Sequence, residues 1–137
     1  MSPVKYCASQ HAMRPMKITA IMLAQLLQDS GLTGQPLPSG TLVGEMIHAI
    51  SEESAAIVCI CGLPPFALSH ARAVCKRLRA VQPGLKIVVD IWKAEEKDKF
   101  NEKLSTAGAD RVVLTLAEAK EEIRQLAEAA VLQLPAA

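Results

Sequence analysis

The residues of this chain best suited to chemistry are four cysteines, Cys7, Cys59, Cys61 and Cys75, and one histidine, His11. A thiolate becomes a nucleophile when a neighbouring base takes its proton, and imidazole is the usual base. Cys61 ends an apolar run and His11 follows another. A catalytic pair would need Cys61, or Cys7, to meet His11 from neighbouring loops. The alternative is packing. No two cysteines form a Cys-x-x-Cys pair, and all four sit among apolar residues. That pattern fits reduced, buried thiols in a cytosolic protein better than disulfides or zinc. The expectation is therefore no catalytic residue, no metal and no enzyme. Cys61 lies nearest any pocket.

A second kind of chemistry is charge. The stretch "CICGLPPFALSHARAVCKRLR" runs from Cys59 to Arg79. It passes from an apolar strand through Pro64-Pro65 into a helix, whose first free N–H groups can bind an anion. Arg72, Lys76 and Arg79 recur at helical spacing, with Arg77 beside them. They form an expected basic surface on the outer side of that helix. The plain reading is a solvated face. The sharper one is a contact surface for an acidic partner or anionic lipid headgroups.

Bulk properties narrow the choice. The 137 residues suffice for one domain, and half of them are hydrophobic, so a core is within reach. The aromatics are few, namely Tyr6, Phe66, Trp92 and Phe100, which leaves the core to Ala, Val, Ile and Leu. A formal charge of +1 creates no field that would draw in nucleic acid. The apolar run "ITAIMLAQLL", Ile18 to Leu27, is too short to span a bilayer, and the N-terminus does not read as a signal peptide. As an isolated chain it is expected to be soluble.

The elements that must position these residues follow from periodicity. "VKYCAS" reads as a strand and "MKITAIMLAQLLQDSG" as a largely buried helix stopped by Gly31. "GQPLPS" is at best a short edge strand, because Pro36 and Pro38 lack donors. "TLVGEMIHAISEES" is a helix. "AAIVCICGL" and "LKIVVDIW" are apolar without alternation, as strands covered on both faces should be. Between them "PFALSHARAVCKRLRAVQPG" is a helix. "AEEKDKFNEKLSTAG" is a helix, "DRVVLTL" the last strand and "AEAKEEIRQLAEAAVLQL" the last helix, with residues 133–137 frayed. Strand and helix alternate five times. This spacing demands a parallel sheet, and at this length a single α/β domain over residues 1–137. The expected fold is a five-stranded flavodoxin-like three-layer sandwich of strand order 2-1-3-4-5.

Ligands of such sheets sit beyond the carboxyl ends of the strands. Here the converging loops are "SQHAMRP", "CGLPPF" and "DIWKAEE". A phosphotransfer receiver needs a carboxylate at the end of strand 3 and acids after strand 1. This chain has Cys61-Gly62-Leu63 and no acid in the first loop. A flavin would need a Ser/Thr-rich first loop, and only Ser9 is present there. No dinucleotide or P-loop glycine pattern occurs.

The architecture and the "AGAD" at Ala107 to Asp110 resemble cobalamin-binding domains. That family carries Asp-x-His-x-x-Gly after strand 1, Ser-x-Leu after strand 3 and Gly-Gly at the end of strand 4. Here those read Ser9-Gln10-His11-Ala12-Met13-Arg14, then Cys61-Gly62-Leu63, then Val89-Asp90-Ile91-Trp92. Only His11 and Leu63 match. The resemblance implies a candidate ligand site of His11, Cys61, Gly62, Leu63 and Trp92. It also implies a degenerate one, with Arg14, Asp90 and Trp92 crowding the nucleotide tail. No cofactor is expected. A sensor that holds cobalamin or another nucleotide-like ligand at the carboxyl ends of strands 1, 3 and 4 is the alternative.

A longer resemblance rests on "MLAQLLQDSG", "LVGEMI", "CICGLPPFALSHARAVCKRLRAVQPGLKIVVDIW" and "AGADRVVLTLAEA". These are similar to the soluble C-terminal domain of bacterial permeases of the autoinducer exporter family. The resemblance implies a non-enzymatic regulatory or interaction domain, a transporter's cytosolic tail, on the cytoplasmic side of the inner membrane within a longer protein. Its partners would be the parent membrane protein or an anionic lipid surface, with no nucleic acid. Whether it forms a homo-oligomer stays open, as does the transported substrate.

Overall fold

A computed structural model describes residues 4–9, 22–23, 25–29, 31–32, 35–36, 43–52, 57–62, 66–91 and 97–132. The chain begins with β1 (Val4–Ser9). Helical residues 22–23 and 25–29 belong to α1. There follow β2 (Gln35–Pro36), α2 (Val43–Glu52), β3 (Ile57–Gly62), α3 (Phe66–Val81) and β4 (Lys86–Ile91). The last elements are α4 (Lys97–Ala107), β5 (Arg111–Val113) and α5 (Leu116–Leu132). Every strand pairing is parallel, and hydrogen-bonded neighbours run β2-β1-β3-β4-β5.

The expected lengths of the two edge strands need correction. Three strands of six residues, β1, β3 and β4, make up most of the sheet. At one edge β2 is two residues long, and its Pro36 has no N–H for a ladder. At the other edge β5 is three residues, not the seven of "DRVVLTL". A helix cap shortens it. The Glu118 N–H donates to Thr115 Oγ1 at 3.1 Å, and the Ala119 N–H donates to the Thr115 carbonyl at 3.0 Å. Thr115 and Glu118 thus have the spacing of a capping box, which starts α5 at Leu116 and takes the chain out of the sheet.

The period-2 geometry of the strands sends alternate side chains into two cores. On one face Val58 and Ile60 of β3 and Ile87, Val89 and Ile91 of β4 meet α2, α3 and α4 through Ile50, Val74, Leu78 and Leu104. On the other face Ile57, Cys59 and Cys61 of β3 and Val88 of β4 meet Leu23 and Leu27 of α1 and Ile123 of α5. Val58, Ile60, Ile87 and Val89 are all fully buried, as the unalternated apolar strands require. Helices therefore cover both faces of a flavodoxin-like α/β sheet.

Candidate functional site

At the carboxyl edge, strand register lines up Ser9, Cys61, Asp90 and Val113 on β1, β3, β4 and β5. Cys61 and Asp90 have no exposed surface, and Ile91 after them has none. Cys59 and Cys61, two apart on β3, share the α1/α5 face with their sulfurs 3.9 Å apart. Gly62, the last residue of β3, pairs with Ile91. Among the described residues this edge carries the Cys61 thiol, with Cys59 behind it, and Asp90 is the buried charged side chain. Of the expected ligand residues, the structure brings Cys61 and Gly62 here. His11, Leu63 and Trp92 lie outside the described residues.

The glycines of the cobalamin-domain pattern have no counterpart at the end of β4. The nucleotide tail needs glycines at the end of strand 4, and that position holds Asp90 and Ile91, both sealed in the core. Among the described residues no three His, Cys, Asp or Glu side chains come together as a ligand set.

Cys75 lies on the opposite face of the sheet, buried beside Val74 and Leu78 on α3. Burial pushes its thiol up to about 12, with the Arg79 guanidinium pulling downward and the Asp110 carboxylate pushing upward. It is a packing group with negligible thiolate at neutral pH.

The expected basic surface of Arg72, Lys76 and Arg79 divides in two. Arg79 is not part of it. Its guanidinium is engaged at the amino edge of the sheet, donating to the carbonyls of Pro83, Leu85 and Gly108, each at 2.6 Å, and to Asp110 Oδ2 at 2.8 Å. Asp110 also accepts the Ile87 N–H at 2.7 Å. The "AGAD" turn is thus an anchor for Arg79, remote from any ligand edge. Sequence reading missed this pairing because the partners are 31 residues apart. The usable signal was an arginine in the last turn of one helix and a Gly-Ala-Asp turn closing the next. Lys76 and Arg77 are exposed. Arg72 is half-buried, and its Nε is shielded from solvent with no hydrogen-bond partner.

No family model matches the chain, and no curated protein matches it, so the likeness to exporter-family tails gains no support from either. Solved structures do share its fold. A cobalamin-binding protein from Desulfitobacterium hafniense DCB-2 superposes with a TM-score of 0.73 at 16% identity, covering 90% of this chain and 58% of that one. The chain therefore spans little more than half of that neighbour. A CheY-like protein, tadZ, from Pseudomonas aeruginosa PAO1 gives 0.67 at 19% identity, covering 98% of both chains. An atypical orphan response regulator, described as having a phosphorylation-independent regulatory mechanism, gives 0.66 at 8% identity, covering 91% of this chain and 96% of that one. At these identities the likeness establishes the fold alone.

Among the described residues no helix is long and apolar enough to cross a membrane.

Proposed function

We propose that this chain is a non-enzymatic regulatory domain of receiver-like architecture that works without phosphoryl transfer to the end of β3. One observation carries the reading. The carboxyl end of the central strand presents Cys61, fully buried and facing the α5 layer, where phosphoryl chemistry would need an accessible carboxylate. Nothing on β3, from Ile57 to Gly62, is an acid. Similar folds that span nearly the whole chain include a CheY-like protein and a response regulator, which supports a regulatory role. Attachment to a parent permease is a finer form of the same proposal, and it rests only on the sequence resemblance.

The test is exposure of the intact chain to acetyl phosphate and magnesium, read by intact mass. The expected result is an unchanged mass. A stoichiometric, acid-stable or acid-labile phosphoryl adduct would overturn the proposal. A corrinoid-binding sensor is tested in parallel with hydroxocobalamin. Calorimetric binding at micromolar concentration, with a spectral change lost in His11→Ala, would replace this reading.

A further inference from the structure

We infer that the flank of α3 facing α4, together with the lysines of α4 opposite it, is a docking groove for an extended acidic polypeptide segment. The inference rests on the reading of the domain as an interaction module and names the surface that such a module would use.

Helix geometry identifies the flank. On α3 the buried positions are Ala71, Val74, Cys75 and Leu78. Arg72 and Arg79 follow Ala71 and Leu78, and seven residues make two turns, so they share one flank. Arg79 reaches Gly108 at the end of α4, so that flank faces α4. Both helices connect parallel strands across the same sheet face and run in the same direction. The α4 flank facing α3 therefore carries the residues just before its core positions. Those are Lys103 before Leu104 and Lys99 before Phe100.

The level of each residue follows from the anchor. A Cβ built on Gly108 would lie 3.2 Å from the Arg79 Cβ, so these two residues are side by side. Seven residues back from each, Arg72 stands level with Asn101. Three back from each, Lys76 stands level with Ser105. Lys103 falls between them on the opposite wall. The result is a staggered row of Arg72, Lys103 and Lys76, flanked by Lys99. The acids of α4, Asp98 and Glu102, are exposed on its outer side.

Charge pairing separates this row from Arg79 and from the arginines of β5 and α5. Arg79, Arg111 and Arg124 each hold a carboxylate. Among the described residues no carboxylate pairs with Arg72, Lys76 or Lys103, and the Arg72 Nε is shielded from water with no partner. Three cations kept together on one groove repel one another, and a buried donor left unmade is costly. An anion in the groove relieves the repulsion at the exposed ends of these side chains. The spacing favours a peptide over a bilayer. Arg72 and Lys76 are four residues apart, about 6 Å along the helix axis. Alternate side chains of an extended chain recur at about 6.6 Å on one face. A planar lipid surface has no such row and cannot reach Arg72 between two helices.

The experiment uses the full chain and a fluorescein-labelled decapeptide alternating Glu and Ser, read by anisotropy at low salt. Saturable binding is expected, weakened about fivefold by Lys103→Glu and changed less than about twofold by Arg77→Glu, which alters the same charge on the other flank. Arg72→Gln, which keeps the side-chain shape, should weaken it similarly to Lys103→Glu, with thermal melts by circular dichroism confirming an unchanged fold. Absence of saturable binding would overturn the groove. So would equal loss in Arg77→Glu and Lys103→Glu, which would mean attraction by overall charge. Stronger capture by phosphatidylglycerol-containing vesicles, sensitive to the same variants, would assign the face to a membrane and overturn the peptide. Any of these with no phosphoryl adduct strikes the groove alone, whereas an adduct strikes the regulatory reading.

Discussion

The Arg79 guanidinium donates to the Asp110 carboxylate at 2.8 Å, joining the end of α3 to the turn before β5. The same carboxylate oxygen accepts the Ile87 N–H, and the Asp110 N–H donates back to the Ile87 carbonyl at 2.8 Å. Three carbonyls, those of Pro83 and Leu85 in the turn before β4 and of Gly108 just past α4, complete the cage around Arg79. Turn carbonyls need donors from outside helix and sheet ladders, and here one planar, multiply donating group satisfies several at once. Arg79→Ala should cost about 2–4 kcal/mol in urea unfolding, because Asp110 and the carbonyls then lose a charged donor. Arg79→Lys should recover only part of this, since one ammonium cannot span the cage. A loss below about 0.5 kcal/mol for Arg79→Ala, the range of ordinary surface changes, would contradict the assigned role.

Gly108 is the backbone half of the same junction. Its φ is +120°, which side chains rarely adopt, and an added Cβ would meet the Arg79 Cβ at 3.2 Å and Nε at 3.3 Å. Gly108→Ala should therefore destabilise by about 1–3 kcal/mol through backbone strain and displacement of Arg79. Gly84→Ala is the control. It has no left-handed φ and nothing within 4 Å of its added methyl, so its midpoint should hardly move. Equal effects at the two glycines would show that φ and crowding do not govern this turn.

The cores were legible in the sequence because unalternated apolar strands such as Ile57 to Cys61 and Ile87 to Val89 have few other places to go. Cys59 and Cys61 on one face, and Cys75 on the apolar side of α3, follow from the strand and helix periods, whereas the sheet face that α3 covers does not. Strand limits were less legible. Val112 and Val113 read as one apolar run with "LTL", but the Thr115 cap ends the strand through a hydrogen bond that hydropathy does not encode. Arg79 was misread for a similar reason. Helical spacing places it with Arg72 and Lys76, while a turn 31 residues later takes its charge. The candidate ligand edge was legible only at Cys61 and Gly62. His11, Leu63 and Trp92 fall outside the described residues.

The exposed side of α5 carries its own titration signature. Arg124 donates to Glu121 Oε1 at 2.6 Å and Oε2 at 3.1 Å, and it also holds Glu128. The hydrogen bond from Arg124 and then that from Gln125 bring the Glu121 carboxyl down to about 2. A depressed folded-state value means that its contribution is present above the ordinary 4.5 and is lost as pH falls toward about 2. A carboxyl-carbon NMR titration should find Glu121 still ionised near pH 3.5 at low salt. Arg124→Ala should return it toward the ordinary value, and added salt should do so in part. A Glu121 midpoint at 4.5 in the unaltered protein would show that the pair does not persist in solution.

Cys75 tests the core beneath the Arg79 cage. Its thiol is pushed up from 9.0 to about 12, mainly by burial. A raised folded-state value favours the neutral thiol in the native protein. Its contribution to stability is therefore complete below pH 9, and it drains away as pH climbs from 9 toward 12. Cys75→Ala creates a small cavity and lowers stability at neutral pH, but it removes this alkaline decline, so the two stability curves should converge above pH 9. At pH 8 the native thiolate fraction should be about three orders of magnitude below that of a free thiol, so iodoacetamide should alkylate Cys75 only as the protein opens. Mass spectrometry of peptides after timed alkylation resolves the cysteines separately. Labelling of Cys75 at the rate of a free thiol, in protein whose circular dichroism shows it fully folded, would mean that the α3 core is open to solvent and that burial does not set its reactivity.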